Sequence, residues 1–148
     1  MVSNSERKLF DEILEGVIDA LPDHLHALLE EVPVVVEDRP SRKLLREMEL
    51  DPDVDDLCGL HSGVALTQRS VEHSGNLPDQ ITLFRNAIIE MSGLRDLPEH
   101  GEVPLSTFVQ AEKDAELELE KQIRVTLLHE MGHHFGLDEE DLIEMGYG

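Results

Sequence analysis

The sequence predicts an α+β domain: a small twisted sheet packed against helices, one of which is long and carries the chemistry. Three observations lead there. Glu112 to Leu128 contains no Pro or Gly and is rich in Ala, Leu, Glu, Lys and Gln, the strong helix formers. Short β-branched runs, Val34–Val36 and the Ile-Thr pair within Gln80–Phe84, read as strands between helical patterns. The length of 148 residues suits one domain, 1–148, with a single core.

In chain order, Ser3 with Glu6 forms a capping-box start. Leu9, Phe10, Ile13, Leu14, Val17, Ile18 and Leu21 then give a first amphipathic helix. Pro22 opens a short second helix reaching about Glu31. Pro33–Glu37 is a strand, and Ser41–Glu49 has helical spacing. Asp51–Asp56 superficially resembles a calcium loop, but it lacks the required Gly and distal Glu and reads as a turn. Gly63–Gln68 and Gln80–Phe84 read as two further strands, with the turn-rich His73-Ser74-Gly75-Asn76 between them. Asn86–Met91 is helical and Ser92–Pro104 a loop. Leu119, Ile123, Leu127 and Met131 then recur every four residues as the core-facing stripe of the long helix, which Gly136 stops.

Composition narrows the function. With no Trp, one Tyr and four Phe, the core must be mainly Leu, Ile and Val. A formal charge of −21 argues against nucleic acid or an anionic membrane as partner, and its default role is solubility. No start resembles a secretion signal, and no apolar stretch approaches about 18 residues, so the expectation is a cytoplasmic protein without a membrane partner. The single cysteine, Cys58, excludes an internal disulfide and suits a reducing compartment; a small buried hydrophobe is its expected role.

The chemistry concentrates in His129-Glu130-Met131-Gly132-His133, an HExxH motif. Four residues span about one helical turn, so both histidines leave one face and can share a metal ion. Glu130 lies roughly 100° round the helix from His129, where it reaches a metal-activated water without being a ligand. Neutral imidazoles, a carboxylate base and an acidified water are the parts of a zinc hydrolase. Chance alone produces the motif in roughly one chain in twenty of this composition, so the helix that presents it and the glycine that follows it carry the reading.

A catalytic zinc normally has three protein ligands, and four consecutive acids, Asp138-Glu139-Glu140-Asp141, follow Gly136 and Leu137. The run also suits the cap and first turn of a closing helix, with Asp138 capping. On His129 through Leu142 the chain resembles the zincin metallopeptidases, and more closely a family of small bacterial zincin-like proteins. Read as HExxHxxGxx(D/E), the third ligand falls on Glu139, with Asp138 the neighbouring alternative. Related zincins have His or Asp there, and this chain departs with the longer Glu. Gly59 through Thr67 and Ile81 through Phe84 are also similar to that family, which extends the resemblance along most of the chain.

The resemblance implies a minimal zincin-like domain that binds Zn2+ and hydrolyses peptide bonds in a peptide or protein substrate. Glu130 would be the general base, and His129, His133 and Glu139 the ligands. It also implies that an edge strand, Gly63–Gln68 or Gln80–Phe84, pairs with the substrate backbone. His134, Tyr147, His61, His73 and His100 are candidates to stabilise the oxyanion. Met145 is too close to the ligands to serve as a Met-turn. The small size of the chain motivates an alternative: a metal-stabilised protein-binding or regulatory module with little or no turnover.

Overall fold

The computed structural model describes residues 1–62, 79–136 and 139–144, the last without the side chains of Glu139 and Leu142. It is α+β. In chain order come α1 (Asn4–Asp19), α2 (Asp23–Leu29), β1 (Val34–Glu37), α3 (Arg42–Glu47), β2 (Gly59–Ser62), β3 (Gln80–Phe84), α4 (Arg85–Ser92), a 3₁₀ turn (Leu94–Asp96), α5 (Leu105–His134) and α6 (Glu139–Glu144). Among the described residues no helix is long and apolar enough to cross a membrane.

Local signals explain the starts. The Ser3 hydroxyl accepts the Glu6 N–H while the Glu6 carboxylate accepts the Ser3 N–H, the reciprocal cap expected for α1. Ser41 caps α3 by accepting from the Leu44 N–H. Asp51–Asp56 forms a turn, the Asp53 N–H donating to the Asp51 side chain. Two boundaries differ from the sequence expectation. The region Ser92–Pro104 contains the 3₁₀ turn, and α5 starts at Leu105, well before Glu112. Positions 105–114 include no buried residue, so no apolar periodicity announces this first third of the helix.

The sheet has the order β1-β3-β2. β1 runs parallel to β3, with Val34 opposite Ile81, and β2 runs antiparallel to it, with Leu60 opposite Thr82 and Ser62 opposite Gln80. β3 is therefore central, which corrects the expectation that Gln80–Phe84 could be an edge. All of Ile81, Thr82, Leu83 and Phe84 are buried, as a strand covered on both faces must be. Among the described residues β2 lies at an edge; the expected strand Gly63–Gln68 lies outside them.

One core joins the layers. Phe10, Leu14 and Val17 of α1 meet Ile81 and Leu83 of β3, Ile88 and Ile89 of α4, and Leu119, Ile123, Leu127 and Met131 of α5. The last four are the predicted stripe, each at most 3 % exposed. Burying side chains of this size stabilises the fold by roughly 1.5–3 kcal/mol each before entropy is counted. Cys58 packs partly buried against this core, its Sγ 3.3 Å from Met91 Sδ.

Three arginines clamp the helices together. Arg7 forms a fork on Asp38, Arg85 bridges Asp38 and Asp11, and Arg95 joins Glu6 of α1 to Asn86 of α4, which in turn donates to Asp56. The hydrogen-bonded Arg95 guanidinium holds the Glu6 carboxyl below the usual carboxylate range. Because the folded value is the lower one, this stabilisation is complete above the ordinary range and disappears as pH falls through the depressed value. Glu6→Gln is expected to cost about 1 kcal/mol at neutral pH and nothing once pH is below that value, read from urea midpoints at the two pH values. A constant cost across pH would contradict it.

Candidate metal centre

The C-terminal turns of α5 grade from core to surface. Counting about 100° per residue from buried Leu127, His134 lies about 20° from the core direction, Glu130 about 60°, His133 about 120° and His129 about 160°, all on one side. Exposure follows this order for the first three: His134 is 2 % and Glu130 8 % exposed, while the His133 side chain is 52 % exposed. His129 is half-buried. The His129 and His133 rings stand 4.5 Å apart between centroids and nearly perpendicular, side by side on one face. The spacing of the motif is thus realised as geometry.

Glu130 is buried because β2 lies across it. Gly59 sits directly against the helix: a Cβ there would come 2.8 Å from Thr126 Cγ2 and 3.1 Å from Glu130 Cγ. Only a residue without a side chain allows this approach. The strand then points the backbone N–H of His61 at the Glu130 carboxylate, which accepts it. Burial pushes the Glu130 carboxyl up, against the pull of nearby His133 and His129 and of the His61 N–H. Its Oε2 is 3.5 Å from His133 Nδ1.

α5 ends where the sequence predicts. Phe135 caps it, and Gly136 takes a left-handed conformation with φ of 72°, turning the chain back. α6 begins at Glu139 and packs against α5. Glu139 is the first described residue after Gly136, and its side chain is not described. Asp138, Tyr147, Met145 and His73 lie outside the described residues. His134 lies on the Glu130 side of the helix and apart from His129 and His133; its buried ring contacts His61, Nδ1 to Nε2 at 3.0 Å. His100 packs on Phe108. About 30 Å of helix separates that ring from His129, so His100 is removed from the site. Met131 is buried as expected, and Phe135, half-buried, packs its ring on His134.

Burial first, then Asp56 and Glu130, push the Cys58 thiol up, which disfavours the thiolate. Sequence reasoning missed Gly59 and Asp79 as parts of this region. For Gly59 a signal existed, a glycine opening a strand, which marks close backbone approach. For Asp79 there was none.

An HExxH helix packed against a small mixed sheet and against α1 and α4 defines a zincin-like α+β domain. The chain belongs to the zincin-like metallopeptidase family, whose sequence profile matches residues 29–99 and 104–147. No curated protein matches it significantly. The family supports a hydrolase that uses a divalent metal.

Proposed function

We propose that the protein is a zinc-dependent peptidase, formed as one domain over residues 1–148, in which His129, His133 and Glu139 hold the metal and Glu130 is the general base. One observation carries the reading: the two histidine rings stand side by side on α5 with a buried carboxylate between them in sequence, in a chain of this family. The donor set fits the ion, because paired imidazoles and a carboxylate are a zinc hydrolase's usual ligands. When bound, zinc would supply Lewis acidity toward water and the scissile carbonyl.

The chain's own residues account for the rest. Glu130, held by the His61 N–H, takes the proton released as water adds to the carbonyl carbon. It returns that proton to the departing amine nitrogen as the C–N bond breaks. With His133 Nδ1 turned toward Glu130, Nε2 is the nitrogen available for the metal. β2, which lies beside α5 and at an edge among the described residues, offers backbone groups to which an extended peptide can pair. The charge of −21 favours basic over acidic substrates.

The test is metal analysis beside a peptide-cleavage screen. Purified protein should carry zinc and cleave unfolded protein substrates, and His129→Ala should hold one equivalent of zinc less than the parent and lose cleavage while remaining helical by circular dichroism. Equal zinc content in both proteins would overturn the ligand assignment. Zinc without cleavage of any peptide would favour the binding-module reading.

A further inference from the structure

A second set of metal-binding side chains lies on the core side of the same helix. His61 comes from β2, Asp79 from the residue before β3, and His134 from the last turn of α5. One ligand atom from each lies within 4.8 Å of the other two. The sheet register brings them together: His61 opposite Ile81 and Ser62 opposite Gln80 hold Asp79 beside the end of β2. The helix then delivers His134, whose Nδ1 is 3.0 Å from His61 Nε2, the ring planes inclined by 69°.

We propose that His61, Asp79 and His134 form a second divalent-cation site, separate from that of His129 and His133. Adjacent residues leave a helix about 100° apart. His133 accordingly faces solvent while His134 is 2 % exposed, and a metal held by one cannot be held by the other through the same face. Two imidazoles and a carboxylate, contributed by β2, α5 and the residue before β3, make a ligand set of zinc type with a position left for water. His61 and Asp79 are half-buried and His134 is buried, so the set is shielded from bulk solvent.

Two nitrogens on one tetrahedral zinc, each at about 2.0–2.1 Å, sit roughly 3.3 Å apart. The observed 3.0 Å therefore has to open by only about 0.3 Å. Without metal, one imidazole N–H donates to the other ring across that gap. On binding, the donor ring takes its other tautomer, so that both facing nitrogens present lone pairs. Nothing is oxidised and no ligand leaves.

Zinc stoichiometry decides the matter without reference to catalysis. Protein loaded with zinc and freed of excess should hold two equivalents by elemental analysis. The variant carrying His129→Ala and His133→Ala should retain one, and adding His61→Asn should remove it. In that double variant, Asp79→Asn should weaken zinc binding by about 10- to 100-fold in a titration, while circular dichroism shows the helices intact. Retention by the double variant supports the second site whatever becomes of the HExxH pair. A double variant that holds no zinc, or that keeps its zinc after His61→Asn, overturns it.

Discussion

Glu130→Gln is expected to leave fold and zinc in place while lowering peptide hydrolysis by about 10²- to 10⁴-fold, the usual contribution of general acid–base catalysis. Glutamine fills the same space and keeps an oxygen for the His61 N–H, so the contact between β2 and α5 persists. What it cannot do is hold a proton in transit. The metal-free protein offers a second readout. Burial raises the Glu130 carboxyl above its unfolded value. The folded chain thus binds that proton more tightly, and the group's favourable contribution is lost as pH rises through the raised value. Above that raised value the buried carboxylate is a burden on the metal-free fold, which glutamine removes. Metal-free Glu130→Gln should therefore melt at the same temperature as the parent or higher. A variant that cleaves at the parent's rate would remove Glu130 from the mechanism.

Gly59→Ala is expected to destabilise the protein by about 1–3 kcal/mol, the range for overpacking a closely filled interior. The added methyl would meet Thr126 Cγ2 at 2.8 Å, Glu130 Cγ at 3.1 Å and the Thr82 carbonyl oxygen at 3.3 Å. Strand and helix cannot both stay where they are. The strand is the weaker partner, so β2 should lift and draw the His61 N–H away from Glu130. Thr126→Ser deletes the nearest methyl, and combined with Gly59→Ala it should restore part of the stability. Urea midpoints of the parent, the single variants and the pair measure this coupling. An unaltered midpoint in Gly59→Ala would show that the contact between β2 and α5 yields easily.

How much of this was legible in the chain depended on whether each signal was local. The stripe Leu119, Ile123, Leu127 and Met131 repeats at the period of its own helix, and Gly136 and Ser3 mark ends by backbone geometry and capping chemistry. These need no knowledge of neighbours. β2 was harder. Gly59-Leu60-His61-Ser62 is half-buried throughout, so it shows no alternation, and its place is fixed by α5 and β3 rather than by its own residues. The central position of β3 was available in its unbroken run Ile81-Thr82-Leu83-Phe84, which suits a strand covered on both faces better than an edge. The pairing of His61 with His134, 73 positions apart, follows only from the sheet register and the helix direction together. On the candidate centre, spacing alone placed His129 and His133 on one face; what buries Glu130 came from a strand seventy positions upstream.

The long helix behaves as two bodies in one rod. Its first third, residues 105–114, buries no side chain, so those turns can open with little free energy beyond that of a fraying end. From Leu119 to Met131 every fourth residue is locked in the core. His129 lies within this anchored stretch and His133 two residues beyond its last member, so Leu127 and Met131 tie the turns that carry both histidines to the core.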